Sequence, residues 1–245
     1  MQVFSVSFKI SYLFVLGFKV VESYKRLLKS YVVRHKKLNQ GQLQKLDSLS
    51  EKYCLSHDAE VVFEKIFGND QPIICDIGFG SGDSLVEQAR THSSYNYLGV
   101  EVYTPGIINV LSQIEAEQLG NMRLWHGDAV QLLYNHIAAD SFNRVQLLYP
   151  DPWPKTRHHK RRIITTEFMN NVVRVTKNKG HFYFVTDWQP YAQYVEELLL
   201  DHPCLKRVEA INVEAAPNIR DTKYASKGKA KGHVVTALAY EISKN

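Results

Sequence analysis

Short apolar runs that alternate with helical stretches constrain the fold of this 245-residue chain more than any other feature. Each run ends near a glycine or an acid, and a segment with helical periodicity follows it. This alternation is typical of a mostly parallel sheet covered by helices on both faces. The predicted strands lie at 72–77, 95–100, 122–125, 144–149 and 181–186. The predicted helices lie near 83–92, 105–119, 129–138, 165–176 and 189–200.

The segments on either side of this alternation complete the predicted organisation. Residues 50–68 carry apolar side chains at helical spacing, which predicts one helix that packs on the core. Downstream, the β-like runs at 205–213 and 233–242 predict two further strands. We therefore expect an N-terminal extension and basic arm at 1–49 and one α/β domain at 50–245.

The distribution of charge is more informative than its total. The formal net charge is +5, yet three short segments at 25–45, 155–162 and 220–231 contain 17 Lys/Arg and one acid. The rest of the chain has 13 basic and 24 acidic residues. If folding brings the basic segments together, the surface favours a polyanion such as RNA or DNA, whereas each segment alone is equally typical of a solvated face.

Cysteine content and the N-terminal segment bear on location. Cys54, Cys75 and Cys204 are far apart and form no CxxC pair, so we expect neither disulfides nor zinc. His158-His159 lack nearby acidic or Cys partners and fit a basic surface better than a metal site. Apolar residues in 1–21 are interrupted by lysines and are too few to span a bilayer. A reducing, cytoplasmic location with no membrane and no metal is the expectation.

A glycine-rich turn follows the first predicted strand. The sequence Asp76-Ile77-Gly78-Phe79-Gly80-Ser81-Gly82 reads G-x-G-x-G, and Asp83 stands where a dinucleotide fingerprint needs its third glycine. Acids beside the turn also disfavour a pyrophosphate and suit an amino group or a sulfonium ion. By itself such a turn is weak support for a ligand site.

Two further acids strengthen that interpretation. Glu101 ends the second predicted strand, where an acid can accept hydrogen bonds from both hydroxyls of a ribose. Asp128 follows the third predicted strand, next to the expected position of an adenine edge. Each acid alone is as compatible with a helix cap or a surface position. Because three successive strands end in acids after a glycine turn, we predict an S-adenosyl-L-methionine site.

The fourth predicted strand leads into a proline-rich loop. Asp151 lies between Pro150 and Pro152 on a stiff backbone, and Trp153 follows. Residues 155–162 then add five Lys/Arg and two His with no acid. An acid and an indole beside a cationic strip predict a site for a nucleobase with its phosphates nearby, although Trp153 packed within the loop is about as compatible.

The motif PDPWPK at 150–155 with RHHKRR at 157–162 is highly specific, and Thr186-Asp187-Trp188, Thr222-Lys223-Tyr224 and Gly232-His233 follow it. In this order of motifs the chain closely resembles the bacterial tRNA (guanine-N7)-methyltransferase family over roughly residues 30–242. The resemblance implies a Rossmann-like class I methyltransferase with a seven-stranded, mostly parallel sheet and helices on both faces. It also implies methylation of a variable-loop guanosine of tRNA, with S-adenosyl-L-methionine as the cofactor.

Residue by residue, the resemblance implies three sets of roles, with Asp151 as the catalytic residue. The cofactor-binding set is Asp76, Gly78, Gly80, Gly82, Glu101, Asp128 and Asp151. The substrate-binding set is Lys155, Asp187, Thr222, Lys223, Tyr224 and Ala225. The predicted tRNA phosphate contacts are Arg157, His158, Lys160, Arg161 and Arg162. Ala225 departs from the family's usual Glu, and Lys36-Lys37 stand where the family tends to carry Gly-Arg.

The chemistry of guanine narrows the role of Asp151. Guanine N7 has a free lone pair, so the enzyme mainly positions two reactants and excludes water. The purine gains positive charge during transfer, which a fixed carboxylate at Asp151 or Asp187 can stabilise. Two alternatives remain open: a class I methyltransferase that acts on another RNA base or an exocyclic amine, and a tRNA-binding protein with a degenerate site. Both a monomer and a homodimer fit the sequence.

Overall fold

The computed structural model of the protein describes residues 29–32, 37–210, 216 and 234–244. Its strands are β1 (Ile73–Ile77), β2 (Asn96–Glu101), β3 (Met122–His126), β4 (Phe142–Leu148), β5 (Thr176–Thr186), β6 (Leu205–Val208) and β7 (Thr236–Ile242). Its helices are α1 (Gln40–Tyr53), α2 (Phe63–Phe67), α3 (Asp83–Thr91), α4 (Thr104–Glu117), α5 (Ala129–Asn135), α6 (Thr166–Val175) and α7 (Gln189–Leu199). A 3₁₀ helix spans Thr156–Arg161.

The strands form one seven-stranded sheet in the order β3-β2-β1-β4-β5-β7-β6. β1 pairs in parallel with both β2 and β4, and Cys75 lies opposite Leu98 on one side and Val145 on the other. The exception is β7, which runs antiparallel to β5 and β6. The predicted mostly parallel sheet is therefore confirmed. Since the strand order reverses at β1, a ligand crevice is expected where the carboxyl ends of β1 and β4 diverge.

Helices pack on both faces of this sheet, as predicted. Cys75 and Phe182 belong to a large apolar cluster with residues of α5, α6 and α7. On the opposite face, Tyr97 and Leu124 pack with residues of α3 and α4. Because the strands are buried on both sides, they read as continuous apolar runs in the sequence. None of the helices in the described ranges has the length and apolar character that crossing a membrane requires.

The prediction of a single helix at 50–68 was wrong. α1 begins earlier because Asn39 and Gln42 form a capping box, in which the side chain of each accepts a hydrogen bond from the backbone of the other. It ends at Tyr53, and after the cap residue Cys54 the Leu55 amide donates to the Leu124 carbonyl of β3. This bridge pulls the chain onto the sheet edge and separates α1 from α2. The predicted domain boundary after residue 49 falls inside α1.

The predicted ends of the outer strands also differ from the structure. β5 starts at Thr176, five residues before the predicted strand, through the polar sequence Thr-Lys-Asn-Lys-Gly and a register shift opposite β4. β6 ends at Val208, whereas the predicted strand runs to 213. The described residues stop at 210, so the last part of that prediction lies outside them. Apolar periodicity did not detect the start of β5 because those residues are exposed or pair at a bulge.

Candidate active site

A cavity of about 800 Å³ opens at the carboxyl ends of β1 to β4. Its volume lies in the range usual for pockets that hold small molecules and cofactors. One side is formed by the glycine turn and the ends of β2 and β3, and the other by the loop after β4. The predicted site residues that line it are Gly78, Gly80, Glu101, Asp128 and Asp151.

The glycine turn is shaped by positive backbone φ angles and by close packing on α4. Gly78, Gly80 and Gly82 have φ values of 74°, 63° and 84°, a region that favours glycine. Gly106 in the first turn of α4 lies so close that a Cβ there would be 1.9 Å from the Gly80 carbonyl oxygen. The Asn109 side-chain amide of α4 also donates to the Ser81 carbonyl over 2.8 Å. α4 therefore fixes the height of the turn beneath the cavity.

Glu101 connects this turn to the loop after β2. Its Oε2 accepts from the Gly80 amide at 2.8 Å, and its Oε1 accepts from the Val102 and Tyr103 amides at 2.6 and 2.9 Å. The residue is 9% exposed and faces the cavity. Because a carboxylate offers about four acceptor positions, Glu101 keeps capacity for a ligand hydroxyl while it holds the loops.

Asp76 lies beneath the cavity and does not line it. It is 1% exposed, and burial raises the pKa of its carboxyl to about 7. Gln146 and the positive charge of Arg144 lower this pKa, whereas the charge of Glu101 raises it further. Its Oδ1 is buried with no hydrogen-bond partner among the described residues. A buried acid with a spare acceptor suits a cationic ligand group above it.

Asp128 lines the cavity just after the end of β3. Its carboxylate caps α5 by accepting from the Val130 amide at 2.8 Å. The Tyr31 hydroxyl also hydrogen-bonds to this carboxylate, and burial followed by the charge of Asp128 raises the pKa of Tyr31. Asp128 is thus both a helix cap and a cavity-lining acid, roles that the sequence alone did not separate.

Residues 29–32, here called the arm segment, lie across the cavity. Ser30, Tyr31 and Val32 line it, and the Trp153 indole N–H donates to the Ser30 carbonyl at 3.1 Å. Neither Ser30 nor Tyr31 was predicted as a site residue from the sequence. The only signal was one aromatic residue within a basic segment, which does not specify a contact more than 120 residues away.

The proline-rich loop turns sharply on both sides of Asp151. Tyr149 and Trp153 have left-handed φ angles of 51° and 46°, which are uncommon for such side chains. Asp151 is exposed and lines the cavity. Arg161 lies over the Trp153 ring at 5.3 Å, and His158 meets its edge at 5.9 Å. Trp153 thus packs within the protein and also forms part of the cavity wall.

The basic block after Asp151 forms the 3₁₀ helix at the rim. Lys155, Arg157 and Lys160 are exposed, whereas His158 and Arg161 are half-buried against Trp153. Burial and then the surrounding cations lower the pKa of His158. A row of exposed cations next to the cavity suits a phosphate backbone.

Arg162 differs from its predicted role as a phosphate contact. It is 3% exposed, and its guanidinium faces the protein interior over the adjacent rings of Tyr191 and Tyr194. A group buried in this way is not available to a polyanion at the surface. A run of basic residues in the sequence cannot distinguish the inward-facing member from the outward-facing ones.

The predicted substrate residues are only partly described. Asp187 lies half-buried between the end of β5 and α7, outside the residues that line the cavity. Thr222, Lys223, Tyr224 and Ala225 lie outside the described residues, as does Lys36. The structure therefore brings Glu101, Asp128 and Asp151 together in one cavity with Asp76 beneath it, and the roles of all the site residues remain predictions.

Solved structures show the same architecture. Over 74% of this chain and 93% of its own length, the 16S rRNA methyltransferase KamB matches with a TM-score of 0.52 and 13% identity. An antibiotic-related methyltransferase matches over 76% of this chain and 96% of its own, with a TM-score of 0.51 and 16% identity. At such low identity these matches establish the α/β methyltransferase fold alone.

Sequence comparisons identify the family. A family model described as a putative methyltransferase matches residues 70–238. The tRNA (guanine-N(7)-)-methyltransferase of Alkalilimnicola ehrlichii is 37% identical over 220 residues, which cover 88% of this chain and 93% of that protein. The enzyme of the same name from Pseudomonas putida strain W619 is 37% identical over 88% of this chain and 91% of its own. The chain belongs to the tRNA (guanine-N(7)-)-methyltransferase family.

Proposed function

We propose that the protein transfers a methyl group from S-adenosyl-L-methionine to N7 of a variable-loop guanosine in tRNA. The observation that carries this proposal is the meeting of two surfaces in one cavity. Glu101 and Asp128 with the glycine turn form one side, and exposed Asp151 with the cationic 3₁₀ helix at the rim forms the other. That the substrate is tRNA and that the methylated atom is guanine N7 are inferred from the names of the relatives.

The residues on the cofactor side suit the proposed cofactor. Glu101 retains acceptor capacity for a ribose hydroxyl, Asp128 is the proposed contact for the adenine edge, and the spare oxygen of Asp76 is an acceptor beneath the turn. When bound, the cofactor supplies a methyl group on a positively charged sulfur. The glycines of the turn have no Cβ, so a ligand can approach the backbone closely there.

The substrate side needs no proton acceptor. The N7 lone pair forms the new N–C bond as the C–S bond breaks, and the positive charge passes to the purine ring. Asp151 would stabilise that charge and accept hydrogen bonds from the N1 and N2 donors of guanine. Lys155, Arg157 and Lys160 at the rim would contact tRNA phosphates. The arm segment would exclude water on the cofactor side.

A tRNA substrate supports a cytoplasmic location for the proposed enzyme, and both a monomer and a homodimer fit a site built from one chain. The test is incubation of the purified protein with methyl-labelled S-adenosyl-L-methionine and an unmodified tRNA transcript, followed by nucleoside mass spectrometry. A matched transcript carries adenosine in place of the variable-loop guanosine. We expect 7-methylguanosine from the first transcript alone. An exocyclic-amine product would assign a different base, and cofactor binding without product would assign a tRNA-binding role.

A further inference from the structure

Arg162 is set apart from the other basic residues that follow Asp151. Its Nε donates to the Pro152 carbonyl at 3.1 Å. Its guanidinium carbon lies 4.7 Å from the centre of the Tyr191 ring and 4.8 Å from that of Tyr194. We call this arrangement the Arg162 clasp. The two rings are neighbours, with centres 6.1 Å apart, so the guanidinium lies over both of them. It is held there by cation–π attraction in a site that solvent hardly reaches.

The rings that hold Arg162 are themselves fixed. Tyr191 is fully buried and packs edge-on against Phe184 of β5, with ring centres 5.3 Å apart. The Tyr194 hydroxyl donates to the Ile164 carbonyl at 3.1 Å, just downstream of Arg162. The two tyrosines are three residues apart on α7 and so share one helix face. The clasp therefore connects the loop to the sheet and to α7.

The clasp joins two segments that carry carboxylates proposed for guanine. Pro152 directly follows Asp151, and α7 begins two residues after Asp187. The Pro152 carbonyl and the first two turns of α7 meet at a single guanidinium. The Asp151 loop and the Asp187 segment are thus joined through Arg162.

We propose that Arg162 is a positioning residue for methyl transfer, which holds Asp151 and Asp187 in register on the same guanine. This inference rests on the proposed function. Lysine cannot replace arginine here, because an ammonium lacks the planar group that packs over the two rings while its Nε–H donates to a carbonyl. Misplacement of reacting groups by about 1 Å can cost roughly 100-fold in rate, so the clasp acts on turnover rather than on binding.

The test compares Arg162→Lys with Arg207→Lys. Arg207 also lies over a tyrosine, at 5.3 Å from the Tyr240 ring, but it is on β6, away from the cavity. For Arg162→Lys we expect kcat to fall at least tenfold, while the tRNA KM, the salt dependence of tRNA binding and the cofactor Kd stay within twofold. Arg207→Lys should retain wild-type kcat. A kcat within twofold of wild type in Arg162→Lys overturns the proposal, and a raised KM with a flatter salt dependence assigns Arg162 to tRNA phosphates instead.

A second pair of variants covers the case in which Arg162→Lys does not fold. Tyr194→Leu removes one ring of the clasp, whereas Tyr194→Phe keeps the ring and removes only the hydroxyl. We expect the kcat loss in Tyr194→Leu and its rescue in Tyr194→Phe; equal kcat in both variants overturns the proposal. Wild-type protein in the same assay separates the two levels of inference. Without 7-methylguanosine from wild type the proposed function fails, and with it only the clasp is at issue.

Discussion

The two sides of the cavity are built in different ways. On the cofactor side, the acids lie at or directly after strand ends and are held by neighbouring backbone, as in the three amides that Glu101 contacts. On the substrate side, Asp151 lies on an exposed loop that is held by distant residues. Trp153 connects this loop to Ser30, and Arg162 connects it to Tyr191. The first side is a direct product of the sheet, and the second is assembled from separate parts of the chain.

This difference predicts that the two sides can be damaged independently. A change on the cofactor side should alter folding or cofactor affinity. A change on the substrate side should alter turnover or tRNA binding and leave the cofactor affinity intact. The four predictions below test this separation, from the largest expected change in free energy to the smallest.

The first prediction concerns the frame beneath the cofactor side. Because burial raises the pKa of Asp76 from 3.8 to about 7, the folded protein keeps this proton to higher pH than the unfolded chain does. The stabilisation is complete below the unfolded pKa and is lost as the pH rises to the folded pKa. In urea unfolding, the free energy of unfolding of Asp76→Asn minus that of wild type should increase by about 3 kcal/mol from pH 5 to pH 8. A constant difference between the two proteins would contradict the assignment.

The second prediction concerns cofactor affinity. Glu101→Gln replaces an acceptor of three backbone amides by a group that also donates, so the glycine turn loses its anchor. Hydrogen bonds to charged groups contribute about 1.5–3 kcal/mol, so we expect the cofactor Kd to rise about 100-fold in calorimetry. Glu117→Gln, which changes an exposed partner of Arg90, is the matched control. A rise below threefold in Glu101→Gln would show that Glu101 is not required.

The third prediction concerns turnover. Asp151→Asn preserves the shape of the exposed side chain but removes the charge that would stabilise a cationic guanine. We expect kcat to fall at least tenfold in single-turnover assays, with the cofactor Kd within twofold of wild type. Asp140→Asn, at an exposed ion pair with Lys244, should leave kcat unchanged. Near-wild-type turnover by Asp151→Asn would remove the proposed catalytic role.

The fourth prediction concerns the cationic rim. Arg157 and Lys160 are exposed, so Arg157→Ala with Lys160→Ala should weaken tRNA binding about fivefold and reduce the salt slope by about two. Filter binding at several salt concentrations measures both quantities. Lys65→Ala with Lys206→Ala removes the same charge away from the cavity and serves as the control. An unchanged slope in the first pair would identify the rim as a solvated face.

The sequence predicted the sheet well because apolar periodicity reports burial directly. The strand at 122–125 and the helix near 83–92 differ from β3 and α3 by one residue at an end. The separation of α1 from α2 was missed because it depends on a backbone bridge from Leu55 to Leu124, which leaves no mark in local side-chain pattern. Local sequence therefore determines the elements, and long-range backbone pairing decides where some of them end.

The same distinction between local sequence and long-range contacts applies to the site. Glu101 and Asp128 were identified because their position at strand ends is visible in the sequence, and both line the cavity. Tyr31 was not predicted, and Arg162 was predicted at the surface, because their contacts with Asp128 and Tyr191 join residues 97 and 29 positions apart in the chain. Charge counting treats Arg162 and Arg157 as equals, whereas packing places one inside and the other outside.

The close approach of Gly106 to the glycine turn has a genetic consequence. Every single-base change that substitutes another amino acid for glycine adds a Cβ, and at residue 106 that atom would overlap the Gly80 carbonyl. The position of a Cβ is fixed by its own backbone and the overlapped atom is a backbone oxygen, so rotation of a side chain cannot relieve the overlap. A missense allele at this position would therefore produce a defect in cofactor binding although Gly106 does not line the cavity, and a second-site suppressor would be expected in α4 rather than in the turn.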